Sequence, residues 1–206
     1  MTTPRILTDR TALIRNREQR MRPDALFLMQ EVLHDVLERL KDVNRTFTKP
    51  AIITQTPDLW RAHFPDAVFL SDDAVLDLQP NAHDLIIHAL SLHWADDPVG
   101  QMIQCNRALM PDGLFLGAML GGQTLQELRQ ALAMAETEIT GGLSPRIAPM
   151  AEIRDLGALL QRVGLALPVA DSIPLTASYV GMGALMRALR ATGEGNALIV
   201  RQRIPN

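Results

Sequence analysis

The sequence predicts an α/β protein with a mostly parallel β-sheet flanked by helices, and three observations carry the prediction. Two near-continuous apolar runs, 84–90 and 114–120, are typical of strands buried on both faces. Between them lies a helical pattern that opens on Asp96-Asp97-Pro98, a cap followed by a proline at the first helical position. The turn Met110-Pro111-Asp112-Gly113 leads into the second run. A strand, a helix and a strand in this order form a βαβ unit, whose strands are expected to be parallel neighbours.

The elements before this unit follow from shorter patterns. Apolar residues recur at spacings of three and four from Leu26 to Leu40, which predicts an amphipathic helix with Asp24 as its cap. Short β-prone runs predict strands at 50–54 and 67–70. A two-turn helix that begins at Pro57 is predicted between them.

The elements after the unit are predicted in the same way. Thr124 and Glu127 have the spacing of a capping box at the start of a helix. Another helix is predicted at 153–163, and a last one at 184–192. The segment 165–179 resembles a strand but contains two prolines, which favours the edge of a sheet.

Residues 1–23 form a basic N-terminal arm, and residues 24–206 are predicted to form one domain. The arm contains Arg5, Arg10, Arg15, Arg17, Arg20 and Arg22 against Asp9 and Glu18. An arginine-rich start is found in transit peptides, but weak helical periodicity favours a solvated arm laid over the domain.

The composition excludes several classes of protein. Hydrophobic residues make up 47% and charged residues 21% of the 206 residues, as in ordinary globular proteins. The net charge of −3 gives no support for nucleic-acid binding. Cys105 is the sole cysteine, which fits a reducing compartment, and no apolar run approaches the ~20 residues of a membrane span. We therefore expect a cytoplasmic protein without a membrane span.

Two stretches resemble a known family. The run 83–120, which includes HDLIIHALSLHW and LMPDG, is similar to the fourth strand through the fifth strand of class I S-adenosylmethionine (SAM) methyltransferases. The run 121–164 resembles the methyltransferase-fold assembly factors of respiratory complex I and their alphaproteobacterial relatives, and more distantly BioC-like methyltransferases. The start DRTALIRNREQR (9–20) resembles the same group. The resemblance implies a Rossmann-like class I methyltransferase fold over nearly the whole chain.

The sequence departs from the family at the cofactor loop. Members that bind SAM carry an acidic residue and a Gly-x-Gly-x-Gly loop after the first strand, where small residues let the backbone approach the ligand. The corresponding residues, 52–58, contain no glycine, and Pro57 lacks a backbone N–H. The distance from there to Asp72 leaves room for one strand–helix unit fewer than usual. We therefore predict a fold shortened by one such unit in its N-terminal half.

The resemblance also implies site residues. Asp72 or Asp73 matches the family's acidic position near the adenine, and Thr54 lies at the cofactor loop. The segment after the fourth strand matches the lining of the cofactor site, with His88, Ala89, Leu90, Leu92, His93 and Trp94. Residues that match family positions over the pocket, for substrate or partner, are Gly121, Gly122, Arg146 and Arg154.

Each chemical interpretation has a structural alternative. Three histidines recur every five residues from His83 to His93, but no other ligands accompany them and we predict no metal. The pair His93-Trp94 either contacts a ligand or packs the loop. Cys105 lies in the middle of a helix, where a buried thiol is favoured over a nucleophile. Arg146 either binds a carboxylate of a substrate or partner or forms a surface salt bridge.

The sequence is compatible with three functions. The favoured one is a methyltransferase-family protein with a degenerate cofactor site, a pseudoenzyme that binds SAM weakly or not at all and acts by binding a protein partner, as in complex assembly. The alternative is an active SAM-dependent methyltransferase, or a related modifying enzyme, acting on a protein or small molecule. A relative linked with arginine hydroxylation extends this alternative beyond methylation. The third is a pocket for a different small ligand.

Overall fold

Four parallel strands form one sheet in the computed structural model, which describes residues 6–200. The strands are β1 (Pro50–Ile53), β2 (Val68–Leu70), β3 (His83–Ala89) and β4 (Leu109–Ala118), in the order β2-β1-β3-β4. All three pairings are parallel. The α/β fold with a parallel sheet, predicted from the apolar runs, is confirmed.

Seven α-helices accompany the sheet in the described part of the chain. They are α1 (Arg10–Arg20), α2 (Phe27–Val43), α3 (Pro57–Arg61), α4 (Pro98–Ala108), α5 (Gln126–Thr140), α6 (Ile153–Arg162) and α7 (Gly181–Ala191). None of the helices within 6–200 has both the length and the apolar character needed to cross a membrane.

The chain divides into two compact units. The first comprises Met1–Ala25, Gly121–Met150 and Ser172–Asn206, and the second comprises Leu26–Leu120 and Ala151–Asp171. The second unit contains the whole sheet with α2, α3, α4 and α6. In the first unit α1 packs against α7. The single domain over 24–206 stays a prediction.

The sheet of the second unit is covered on both faces. On one face Ile52 and Ile87 pack with Leu33 and Val36 of α2, and Trp60 of α3 completes the cluster. On the other face Ala51 and Ile86 pack with Cys105 and Ala108 of α4. The central strands β1 and β3 are apolar on both faces because both faces are buried, which explains their near-continuous runs.

The βαβ unit is formed as predicted. The carboxylate of Asp97 accepts a hydrogen bond from the N–H of Gly100 at 2.8 Å, and Pro98 occupies the first turn of α4. The predicted turn at 110–113 lies inside β4 as a bulge. His83 of β3 pairs with Leu109 and Leu85 pairs with Leu114, so the residues of the turn have no paired partner in β3 apart from this shift in register. Asp112 supplies the left-handed backbone there, with φ 63°.

Two predicted helix starts are wrong. Asp24 lies in a short 3-10 turn, and α2 begins after Leu26 without a side-chain cap. The capping box is not formed either, because the Thr124 hydroxyl donates to the carbonyl of Gly121 and α5 begins only at Gln126. Asp24 lies in a turn that precedes α2, and the Thr124 side chain is hydrogen-bonded within a turn that precedes α5. Both helices therefore start later than the predicted cap.

The N-terminal arm and the predicted edge strand also differ from expectation. Residues 10–20 form α1, in which Ala12, Leu13, Asn16 and Arg17 are buried. Its first residues are capped by Asp9, whose carboxylate accepts from the N–H of Ala12 at 3.0 Å. The segment 165–179 contains no strand. Its alternating sequence satisfies the local requirement for a strand, but pairing also requires a neighbouring strand with an open edge.

Candidate functional site

The carboxyl ends of β1, β2 and β3 lie side by side and bring together the residues predicted for the cofactor. Thr54 follows β1, Asp72 and Asp73 follow β2, and His88 is near the end of β3. The N–H of Thr54 donates to the carbonyl of Leu70 at 3.1 Å, which ties the ends of β1 and β2 together. In open parallel sheets this is the edge at which ligands bind.

A buried hydrogen-bonded chain connects three of these loops. His88 Nε2 lies 3.0 Å from Gln101 Oε1, and the Gln101 amide nitrogen donates to the carbonyls of Asp72 (3.3 Å) and Asp73 (2.9 Å). Ser91 Oγ lies 3.4 Å from His88 Nδ1. Because the Gln101 nitrogen is engaged with two carbonyls, its oxygen faces His88. His88 therefore carries its proton on Nε2 and accepts from Ser91 on Nδ1.

The His88 side chain is fully buried, and this determines its charge. Burial lowers the pKa of His88 to about 4, although the hydrogen bond with Gln101 and the charge of Asp72 act in the opposite direction. The imidazole is thus neutral at physiological pH. A neutral imidazole with both nitrogens hydrogen-bonded holds the loops after β2 and β3 in place.

The backbone turns sharply directly after β3. Leu90 has a left-handed conformation with φ 51°, and its N–H donates to the carbonyl of Ala118 at 2.9 Å. This conformation is uncommon for leucine and requires support from the surroundings. The turn directs Ser91 back toward His88. Both Leu90 and Ser91 are buried.

The loop after β1 is closed by its own side chains. The Thr54 hydroxyl accepts from the N–H of Thr56 at 3.2 Å. The Gln55 side-chain amide donates to Asp72 Oδ1 at 2.6 Å, and Asp72 is only 3% exposed. Trp60 of α3, 1% exposed, packs in the same cluster as Ile52 and Ala89. Ala89, predicted for the cofactor, therefore lies in the apolar core beneath this loop.

The segment after Ser91 packs as a single turn. Leu92–Trp94 form a 3-10 helix, in which Leu92 and Trp94 are buried. Leu92 packs with Met102 of α4 and Val163. The rings of His93 and Trp94 lie 5.8 Å apart. Two of these three predicted residues thus contribute to packing of the loop.

The predicted substrate or partner residues fall into two groups. Gly121, Gly122 and Arg146 belong to the first unit, and Arg154 is an exposed residue of α6 in the second. Arg146 donates to both carboxylate oxygens of Glu136, at 2.6 and 3.5 Å. Ser144 donates to the same carboxylate through its N–H and its hydroxyl. Arg146, foremost among these contacts, and then Ser144 lower the pKa of Glu136 to about 2.

The site also contains residues that sequence reasoning did not select. Gln55, Ser91 and Gln101 make the contacts described above. Gln101 had a detectable signal, because it lies on the buried stripe of α4 with Cys105 and Ala108 at helical spacing. A polar residue at such a position needs a buried partner. Gln55 and Ser91 lie in loops, and no local pattern distinguishes them.

Other chemistry receives little support. Cys105 is buried, and burial raises the pKa of its thiol to about 12, so that it is not a thiolate at neutral pH. Among residues 6–200, no three side chains of His, Cys, Asp or Glu are grouped as a metal site requires.

Comparison with known proteins supports the family resemblance. No family model matches the chain. Arginine-hydroxylase NDUFAF5, mitochondrial, from Mus musculus is 44% identical over 132 residues, which are 64% of this chain and 38% of the relative. A methyltransferase-type protein of Rickettsia prowazekii is 33% identical over 131 residues, 63% of this chain and 57% of its own length. Malonyl-[acyl-carrier protein] O-methyltransferase of Laribacter hongkongensis is 34% identical over 137 residues, 66% and 44% of the two chains.

These matches confirm the predicted relationship. Over about two thirds of its length, the chain is a homologue of these arginine-hydroxylase and methyltransferase proteins. The chain spans about two fifths of the length of the arginine-hydroxylase relatives.

Proposed function

We propose that this chain is a methyltransferase-family protein with a degenerate cofactor site, which binds SAM weakly or not at all and acts by binding a protein partner. The observation that carries the proposal is the loop after β1. It has no glycine where the family has a glycine-rich loop, and the N–H of Thr56 is hydrogen-bonded to the Thr54 hydroxyl within the same loop. The first glycine of the chain is Gly100, far beyond this loop.

The backbone of the loop supports this proposal. In a glycine-rich loop, free N–H groups and the start of a helix face the ligand. Here the N–H of Thr54 is bonded to Leu70, the N–H of Thr56 is bonded to the Thr54 hydroxyl, and Pro57 has none. The following helix α3 spans only Pro57–Arg61. Few donors are thus left for the amino-acid part of SAM.

The side chains around the loop support it as well. The Asp72 carboxylate, at the position that the resemblance assigns to the adenine end, is already bonded to Gln55. A ligand there would have to displace the Gln55 amide and leave it without its partner. Trp60 and Ala89 belong to the same buried apolar cluster. The residues present therefore do not fit SAM well.

The proposed partner is a protein, and the proposed location is the cytoplasm. The resemblance to assembly factors of respiratory complex I favours an assembly role, while the animal relatives are named as mitochondrial. Arg15, Arg20 and Arg22 are exposed and make the surface around α1 basic. An acidic partner surface would complement it.

Titration calorimetry of the purified protein with SAM and with S-adenosylhomocysteine tests the proposal. We expect no detectable heat of binding with either ligand at millimolar concentration, which would also contradict the enzyme alternative. Micromolar binding of either ligand would overturn the lost-cofactor proposal. Gln55→Ala serves as a matched variant, because it removes the amide that donates to the Asp72 carboxylate and keeps the backbone restriction of a non-glycine residue at position 55.

The alternative is an active SAM-dependent methyltransferase or related modifying enzyme. The names of the relatives, an arginine-hydroxylase and methyltransferases, favour it. So does the ordered network of Ser91, His88 and Gln101 at the edge where ligands bind in such sheets. If calorimetry shows binding, transfer of a labelled methyl group from SAM to a candidate substrate distinguishes methylation from other chemistry.

A further inference from the structure

The carboxyl-terminal ends of α1 and α7 meet within the first compact unit. The N–H of Arg22, just after α1, donates to the carbonyl of Ala191, the last residue of α7, at 2.8 Å. The chain after α7 continues along α1, because a Cβ atom on Gly193 would lie only 3.1 Å from the Cα atom of Arg17. All of these residues belong to the same unit. The ends of the two helices therefore contribute to one surface.

Five exposed arginines lie within two helical turns of this junction, and we call them the arginine face: Arg15, Arg20, Arg22, Arg187 and Arg190. Within residues 6–200 none of the five forms an ion pair with a carboxylate. The guanidinium of Arg22 donates to the backbone carbonyls of Gln19 and Met21. The exposed carboxylates nearby in sequence are those of Glu18 and Asp24. The face therefore carries an excess of positive charge.

Contacts within the unit account for only part of this arrangement. The carboxyl-terminal end of a helix has a partial negative charge, which favours Arg20 and Arg190 in the last turns of α1 and α7. Arg17 is a different case, because it is buried and forms an ion pair of 3.5 Å with Glu194. The carboxylate of Glu194 is thus engaged with a buried partner. Neither explanation applies to the other three arginines of the face.

The kind of basic residue favours a protein as the partner. Both lysines of the chain, Lys41 and Lys49, belong to the second unit, so every Lys or Arg position of the first unit is an arginine. Arginine is enriched and lysine depleted in protein interfaces, and a planar guanidinium can bind both oxygens of one carboxylate. An anionic membrane surface attracts lysine and arginine alike.

The apolar residues of α1 also favour a protein over a membrane. Ala12 and Leu13, on the apolar side of the helix, are buried in the unit. A helix that lies in a membrane surface needs a free apolar face to insert, and in α1 that face is occupied. Ile14, next to Arg15, is 43% exposed. Apolar side chains next to arginines are typical of protein interfaces.

We infer that the arginine face binds an acidic segment of a partner protein, whose carboxylates contact Arg20, Arg22 and Arg190. The inference rests on the proposed function, because it names the surface and the chemistry of the partner binding proposed there. Complementary charge accelerates the association of two proteins and selects against partners of the wrong charge.

Binding of a fluorescein-labelled decaglutamate peptide to the whole chain, measured by fluorescence anisotropy, tests the inference. We expect micromolar affinity at low ionic strength and weaker binding as salt is added, because exposed charges are screened. Absence of binding at low ionic strength would overturn the inference. That result is distinct from failure of the proposed function, which the titration with SAM measures.

Two triple variants test whether the peptide binds at this surface. The first combines Arg20→Gln, Arg22→Gln and Arg190→Gln, and its control combines Arg107→Gln, Arg154→Gln and Arg162→Gln at exposed positions of the second unit. Both remove three positive charges, and circular dichroism verifies the fold of each. We expect the first to weaken binding about tenfold or more and the control to change it less than about twofold. An equal loss in both variants would show that only net charge matters, which would contradict the inference.

Vesicles distinguish a membrane from a protein as the partner. Phosphatidylcholine vesicles that contain about 30% phosphatidylglycerol supply the anionic surface. We expect the parent chain and the first variant to sediment with them to the same extent. Vesicle binding that is lost in the first variant, together with absence of peptide binding, would assign the face to a membrane and overturn the inference.

Discussion

At the scale of single residues, His88 links the loops that follow β2 and β3. Its ring is hydrogen-bonded to Gln101 and Ser91, and all three residues are buried. Two consequences can be measured. One concerns the proton on the ring, and the other concerns the groups that Gln101 satisfies.

The first prediction concerns pH. In the unfolded chain His88 binds a proton below about pH 6.5, whereas in the folded protein its pKa is about 4. The stabilisation from its neutral ring is complete above pH 6.5 and decreases as the pH falls toward 4. We expect the free energy of unfolding to fall by about 2 kcal/mol between pH 7 and pH 5 because of this residue. Urea unfolding at the two pH values measures it.

His88→Gln is the control for this measurement, since it keeps a neutral polar side chain and removes the titration. Carboxylates with lowered pKa, such as Asp84 and Glu136, lose their contribution only at lower pH. An equal loss of stability in the variant and the parent between pH 7 and pH 5 would contradict the assignment to His88.

The second prediction concerns Gln101. Gln101→Leu removes the partner of the buried His88 Nε2–H and one hydrogen bond from each of the carbonyls of Asp72 and Asp73. We expect the free energy of unfolding to decrease by at least about 2 kcal/mol. Gln30→Leu, at an exposed position of α2, should change it by less than about 0.5 kcal/mol. If both variants unfold alike in urea, the network does not stabilise the fold.

At the scale of elements, α5 is connected to the loop that follows it. The helix ends at Gly141, whose φ of 70° suits the left-handed end of a helix. Glu136, on the last turns of α5, then binds Ser144 and Arg146 of the loop. In this contact the charge of Arg146 is paired with the carboxylate of Glu136. The sequence left two roles open for Arg146, a contact with a ligand or partner and a salt bridge. The structure shows the salt bridge, and its partner Glu136 belongs to the same compact unit.

The third prediction follows from this contact. Glu136→Gln removes the charge that Arg146 requires, so we expect the loop 141–147 to be cleaved several-fold faster in limited proteolysis. Glu138→Gln, exposed on the same helix, should leave the rate unchanged. The contact of the parent is complete above about pH 4.5 and is lost as the pH falls toward 2, because the folded pKa of Glu136 is lowered. Equal cleavage of the two variants would show that Glu136 does not restrain the loop.

At the scale of the whole molecule, charge is distributed unevenly between the two units. The unit that contains the sheet carries 16 Asp and Glu against 8 Lys and Arg. Asp72, Asp73, Asp96 and Asp97 all follow the carboxyl ends of strands. The net charge of −3 for the chain conceals this division. An acidic edge disfavours anionic ligands at the place where ligands bind in such sheets.

The fourth prediction is a test of the cofactor site by stability. A ligand present at a hundred times its Kd stabilises the folded state by about 2.7 kcal/mol. For a chain of this size that corresponds to a rise in Tm of roughly 5–11 °C. We expect millimolar SAM to leave the Tm unchanged, because the loop after β1 offers it few donors. A rise of several degrees with SAM, but not with methionine, would indicate a functional cofactor site.

The sequence alone determined the βαβ unit from β3 to β4, the family relationship and the absence of glycine from residues 52–58. These features depend on local signals, such as apolar runs, the cap at Asp97 and the residue types at 52–58. Helix starts were less predictable, because Asp24 and Thr124 have the right residue types but form other local contacts.

Only the tertiary structure decided how the site is built. Asp72, His88 and Gln101 are separated in sequence, and their contact depends on the order of the strands. The same reason explains why residues 165–179 form no strand. Their alternating pattern is local, but whether they form a strand depends on a partner edge elsewhere. Side-chain contacts across loops and pairing between distant strands are non-local, and no pattern within one segment contains them.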